Sequence, residues 1–269
     1  VADPTAVLRE HQTLRRHHMT SHNGILLRLA ALARRNIGWQ PDEEKTKRGQ
    51  LKKIALDTVD AMLNGKEVSG PLAEFMACFV MMDLSSWSAH VENRKRVEDA
   101  MVRIVKELPI WEWAETVNGL GPLGLATILG EAGNPSNYAT VCKFRKRLGW
   151  APAECYPKGK TGGRKIPRSC KGAVYGDVAM PLFFAQSPIV DKTTGEVKRE
   201  AGPYRKVYDA RRAHTAETHP EWTKGHAHND AMRVMIQRLL TDLWSAWRET
   251  RVDLNTSPKV SPAHSIAAE

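Results

Sequence analysis

Residues 113–131 read Trp113-Ala114-Glu115-Thr116-Val117-Asn118-Gly119-Leu120-Gly121-Pro122-Leu123-Gly124-Leu125-Ala126-Thr127-Ile128-Leu129-Gly130-Glu131. The stretch predicts a helix, a Gly-Leu-Gly turn, and a second helix opened by Pro122 and packed through Leu125, Ile128 and Leu129. Such a helix-hairpin-helix asks for glycine at both turn positions, where the backbone bends tightly and a side chain would hold a phosphate away. Leu120 fills the space beneath the turn. The amides of Gly119, Leu120 and Gly121 and of the following helix start are then expected to act as anion ligands. This mode grips backbone and does not read sequence.

Helical periodicity continues on both sides of this segment. Upstream, Ile25, Leu29 and Leu32 share a face, and Leu51, Ile54, Ala55, Val59, Met62 and Leu63 repeat at helical spacing until Asn64-Gly65. Ser69-Gly70-Pro71 restarts a helix, and Pro71 to Leu84 is expected to be buried. From Trp87 to Leu108 a charged helix carries Val97, Met101, Ile104, Val105 and Leu108 on one stripe, which suits packing against another helix. Downstream, Met232, Met235, Ile236, Leu239, Leu240, Leu243, Trp244 and Trp247 form a core stripe ending near Thr250. Between Pro152 and Gly202 the period breaks among glycines and basic residues, with a hairpin or a surface insertion over Ser187–Glu200 turning at Thr194-Gly195. The expected fold is mostly α: a helical region over 1–86, a long helical arm or coiled coil over 87–110, and a helix-hairpin-helix-containing domain over 111–250. That domain carries a Gly/Lys-rich irregular insertion, and 251–269 forms a disordered tail.

Charge points to the partner. The 269 residues carry 40 Lys+Arg against 30 Asp+Glu, a formal +10. Of this, a net +9 falls between Val141 and Tyr175: Lys143, Arg145, Lys146, Arg147, Lys158, Lys160, Arg164, Lys165, Arg168 and Lys171 face the single acid Glu154. A solvated helix face mixes signs, and this segment does not. Phe144, Trp150 and Tyr156 are interleaved with the cations. Duplex DNA is the expected partner, with structured RNA the alternative, since basic segments with aromatics also suit RNA.

The same chain excludes other classes. No stretch reaches the eighteen or so apolar residues of a membrane span, and no secretory signal opens the sequence, so a cytoplasmic, nucleoid-associated protein is expected. Cys78, Cys142, Cys155 and Cys170 are irregularly spaced and read as reduced thiols. His214, His219, His226 and His228 lack the paired cysteines of a zinc site; helix-start capping and phosphate contact account for them, and no metal ligand is assigned. Val1 in place of Met reads either as a literal translation of a non-standard start codon or as the start of a piece of something longer.

Gly119-Leu120-Gly121-Pro122, Leu129-Gly130-Glu131-Ala132-Gly133-Asn134, Phe144 and Leu148-Gly149-Trp150-Ala151-Pro152 are followed by Ile166, Lys171-Gly172, Pro203-Tyr204-Arg205-Lys206-Val207-Tyr208 and the closing helix from Ala231 to Trp247. In this order they resemble the C-terminal transposase domain of the IS-one-ten group of insertion-sequence transposases, over roughly Trp111 to Arg248. The helix from Trp87 to Leu108 is similar to the coiled-coil arm leading into that domain, and offers a route to homo-oligomers. The resemblance implies a bacterial or phage mobile-element protein acting in DNA transposition or recombination.

The family's RuvC-like domain supplies acidic metal ligands, and its C-terminal domain a serine nucleophile. Here helices precede Trp87, and the segment after Pro152 is Ala153-Glu154-Cys155-Tyr156-Pro157-Lys158-Gly159, with Ser169 the nearest serine. Neither group is carried over, so no catalytic residue is assigned, no cofactor is evident, and a divalent metal enters only with a separate nuclease domain. An active transposase would need Ser169, Tyr156 or Tyr175 as an atypical nucleophile and an acidic domain in trans; an RNA-binding accessory factor is the remaining alternative.

Overall fold

The computed structural model describes residues 3–159, 163–191 and 193–256. They form a mostly α-helical chain with one small two-stranded hairpin. The helices are α1 (Pro4–Asn36), α2 (Lys45–Leu63), α3 (Pro71–Lys106), α4 (Ile110–Glu115), α5 (Pro122–Ala132), α6 (Val141–Arg147), α7 (Arg168–Val174), α8 (Met180–Ala185), α9 (Pro203–Thr218) and α10 (Lys224–Thr256). Of the two readings of Ser187–Glu200, hairpin or surface insertion, the hairpin forms: β1 (Ile189–Val190) and β2 (Val197–Arg199) pair antiparallel, with Gly195 at φ 72° in the turn. Residues 257–269, most of the stretch expected to be disordered, lie outside the described residues.

Two compact units share these helices: Glu10–Met101, and Val102 onward together with the start of the chain up to Arg9. In the first, Ile25, Leu29 and Ala33 of α1, Ala55, Val59 and Leu63 of α2, and Met76 and Val80 of α3 make one apolar core. α2 stops at Asn64 with Gly65 at φ 69°, as the Asn-Gly pair predicts.

The stretch Pro71–Leu84 is not wholly buried: Met81 and Met82 are 75% and 76% exposed. One narrow stripe of Ala73, Met76 and Val80 suffices to seat the helix, and α3 runs through Trp87 without a break. Ile54, counted among the apolar face of α2, is also exposed.

In the second unit α5 is the centre, buried on every residue from Gly124 to Ala132. The stripe of α10 packs as predicted, with Met232, Met235, Ile236, Leu239, Leu240, Leu243 and Trp247 all buried. Arg9, in the first turns of α1, donates from its guanidinium to the Ala132 carbonyl (3.1 Å) and so closes the end of α5.

Within the segment expected to be irregular, residues 168–185 are helical: α7, a π-helical turn over Tyr175–Ala179, then α8. Gly172, Gly176 and Pro181 hide this helix from a propensity reading. Burial decides instead, because Val174, Val178, Ala179 and Leu182 are all fully enclosed. Pro181 has no N–H to give, and its ring would strike the carbonyl four residues back in a regular helix. The wide turn relieves that clash. The carbonyl of Asp177 lies so close to Gly124 that a Cβ there would sit 2.9 Å from it.

Candidate nucleic-acid interface

The Gly-Leu-Gly turn joins α4 to α5 and has a different use for each residue. Gly119 has φ 93°, and a Cβ built on it would lie 2.8 Å from both the Cα of Leu182 and the Cβ of Ala185. Its missing side chain is therefore required by the approach of α8. Gly121, extended at φ −70° and ψ 167°, has open space around it. Leu120 is 2% exposed and plugs the turn from within, and its amide donates to the Val117 carbonyl (2.9 Å).

A buried glutamine holds the turn from behind. Gln186 donates from Nε2 to the Asn118 carbonyl (3.0 Å) and accepts at Oε1 from the Tyr204 amide (2.9 Å). Asn118 donates from Nδ2 to the Ala185 carbonyl (3.1 Å). The turn, the end of α8 and the start of α9 are thus one hydrogen-bonded joint. Beside it opens a groove of about 560 Å³ lined by Trp113, Thr116, Asn118, Arg199, Tyr204 and Arg238.

The basic segment divides into two groups. Arg145 and Lys171 are drawn inward. The Arg145 guanidinium donates to the Thr241 hydroxyl on α10, and its Nε is buried. Lys171 lays its Nζ over the Trp150 ring, 5.4 Å from the centroid, and burial followed by the nearby Arg233 lowers its pKa. Both side chains are partly buried and held by packing.

Lys143, Lys146, Arg147, Lys158, Arg164, Lys165 and Arg168 are exposed, and none has a described ion pair. Arg147 and Arg164 are each tied by one nitrogen, to the carbonyls of Glu131 (3.1 Å) and Tyr156 (3.0 Å), leaving the rest of the guanidinium outward. Lys160 lies outside the described residues.

The interleaved aromatics are core. Phe144, Trp150 and Tyr156 are 0%, 1% and 2% exposed, which removes them as stacking platforms. The Tyr156 hydroxyl accepts from the Ala151 amide (3.1 Å) and faces the Lys146 carbonyl, so it is a structural tie and no free nucleophile. Of the other two hydroxyls, Ser169 is exposed in the first turn of α7 and Tyr175 is half-buried.

No known protein family, curated protein or solved structure matches the chain.

The residues that sequence reading missed lie across from the basic segment, on α9 and α10. Lys171, Arg211 and Arg233 line a cleft of about 400 Å³ with Gly149, Ile166 and Trp222. Asp230 pairs with both arginines, at 2.5 Å to Arg211 and 2.6 Å to Arg233. Glu154 also lines the cleft, so three cations meet two carboxylates and leave a net charge of +1. Only a pairing between helices brings Arg211 and Arg233 there, and no local spacing announces it.

Burial alone would raise the Asp230 carboxyl, but hydrogen bonds from Arg233 and Arg211 outweigh it and hold it below the usual range. Asp230→Asn is expected to cost about 1–3 kcal/mol, the range of charge-assisted hydrogen bonds lost at a half-buried site. The folded pKa is depressed, so this contribution is complete above about pH 4, the ordinary carboxylate value, and is lost as pH falls through the depressed one. Denaturant midpoints of wild type and variant should therefore differ at pH 7 and converge in acid.

His214, His219, His226 and His228 do not gather into a metal-binding group. His228 Nδ1 meets the Tyr208 hydroxyl at 2.7 Å, His219 stacks on Trp222 with centroids 4.2 Å apart, and His214 meets Thr218 and Arg211. The capping side chain at the start of α10 is Thr223, whose hydroxyl accepts from the His226 backbone amide (3.2 Å). Cys142 and Cys155, remote in spacing, come within 3.8 Å as free thiols.

Proposed function

We propose that the chain is a DNA-binding protein of transposase type that grips the backbone of duplex DNA during mobile-element transposition or recombination. One observation carries the reading: seven exposed cations between Lys143 and Arg168 have no described acidic partner. Helix packing balances exposed charge elsewhere, through pairs such as Arg28–Asp83 and Arg96–Glu92. Seven exposed cations beside the one exposed acid, Glu154, suit a polyanion.

In this reading α4, the turn and α5 act as the helix-hairpin-helix, with Gly121 as the open position where backbone meets phosphate. The transposase lineage rests on the ordered resemblance from Gly119 to Trp247. Burial of Phe144, Trp150 and Tyr156 favours duplex backbone over unstacked RNA bases, which need exposed rings.

Equilibrium binding to duplex DNA across salt tests it. About seven phosphate contacts predict an affinity loss of at least about 10³-fold between 50 and 200 mM salt. Binding that is absent at low salt, or indifferent to it, overturns the reading. Preferred binding to structured RNA in direct competition replaces duplex DNA by the RNA alternative.

A further inference from the structure

The strongest unassigned constellation lies in the unit Glu10–Met101. His17 and His18 of α1 and His90 of α3 place one imidazole nitrogen each within 4.8 Å of the others. The ring centroids are 5.3, 5.8 and 5.4 Å apart, and the Nδ1 atoms of His18 and His90 approach to 3.1 Å. No other group of three His, Cys, Asp or Glu side chains among the described residues has this spacing.

The neighbouring pairs explain why these three meet. α1 and α3 run antiparallel, and a ladder fixes their register: Arg15 with Glu98 (2.7 Å), His18 with His90, His22 edge-on to Trp87, and Arg28 with Asp83 (2.8 Å). Each rung lies about one to two turns from the next. The histidine rung is thus held by ion pairs above and below it and is not a chance surface contact.

We propose that His17, His18 and His90 form a binding site for a divalent ion of the zinc class, which clips α1 to α3. Two nitrogens bound to a tetrahedral zinc at about 2.0–2.1 Å are separated by about 3.3 Å, close to the His18–His90 approach. Three imidazoles and one solvent ligand complete four-coordination, and His17, exposed, leaves the ion an entry path. Neutral imidazole is the ligating form. A 3.1 Å approach of two Nδ1 atoms already needs one of them unprotonated. The close thiol pair Cys142 and Cys155, in the other unit, is the rival site that the test must separate.

The site is tested on full-length protein prepared without a histidine tag. Zn²⁺ titrated against a chromophoric chelator should load one equivalent per chain and raise the thermal midpoint. His90→Gln should lower zinc affinity at least about 100-fold, beyond the usual loss of a supporting group, and abolish the thermal shift. His17→Gln guards against misfolding, because that side chain is exposed, and should give the same loss with an unchanged helical spectrum. Cys142→Ser should change nothing. No zinc taken from the chelator, or wild-type affinity in both histidine variants, overturns the proposal. Loss of binding only in Cys142→Ser also overturns it and moves the ion to the thiols.

Discussion

Gly119→Ala should destabilise the chain by about 2–5 kcal/mol, whereas Gly121→Ala should change stability by less than about 1 kcal/mol. Two independent costs meet at Gly119. Its φ of 93° is one that a side chain tolerates poorly, and the added carbon would press on the backbone of Leu182 and the Cβ of Ala185 at 2.8 Å. Neither neighbour is the free end of a flexible side chain, so α8 would have to shift. That shift would pull on the Gln186 bonds to Asn118 and Tyr204.

At Gly121 the backbone is ordinary and the surroundings are open; a small loss as helix cap is offset by a stiffer unfolded chain. Chemical denaturation of the two variants checks this directly, and equal midpoints would refute the packing account of Gly119. The pair also separates fold from function. Gly121→Val should keep the native denaturation midpoint within about 1 kcal/mol and weaken duplex binding about tenfold, if backbone meets phosphate there. Unchanged affinity would make the segment a structural turn alone.

The second large effect concerns the basic segment. Replacing Lys158, Lys165 and Arg168 together by alanine should reduce the steepness of log K against log salt by about 3, close to one for each phosphate no longer neutralised. All three are exposed and without described ion pairs, so folding stability should hold. Arg145→Ala should do the reverse. Its guanidinium donates to Thr241 and is partly buried, so its loss should cost about 1–3 kcal/mol of stability and leave the salt slope alone. Filter binding over a salt series, beside denaturation of the same variants, measures both. If Arg145→Ala flattened the salt dependence and the triple variant did not, the division between surface and packed cations would be wrong.

Local patterns were legible where local patterns decide. The α10 stripe and the Asn64-Gly65 stop depend on residues within a few turns, and they stand as predicted. The hairpin at Gly195 is equally local. The helix at 168–185 was not legible, because its glycines and Pro181 argue against helix while its burial, which favours it, comes from α5 far upstream.

The site shows the same limit. Net charge between Val141 and Tyr175 is a property of composition, but which cations face water depends on Thr241, Glu131 and Trp150. Aromatic residues interleaved with cations read as part of a nucleic-acid contact, yet rings at 0–2% exposure serve the core. His18 and His90 are 72 positions apart, and only the pairing of α1 with α3 makes them neighbours.

The π turn at Tyr175–Ala179 holds one residue more than a regular helix would. Rewinding the same residues as regular helix, with none removed, would rotate everything after them by about 100°. Leu182 would swing out of the core and Ala185 away from Gly119. The seat of the Gly-Leu-Gly turn is thus set by a residue count in a helix more than fifty positions downstream. Regular winding at Tyr175–Ala179 and a methyl group at Gly119 would dislodge the same joint from opposite sides, so the wide turn in one segment and the bare backbone of the other are matched features.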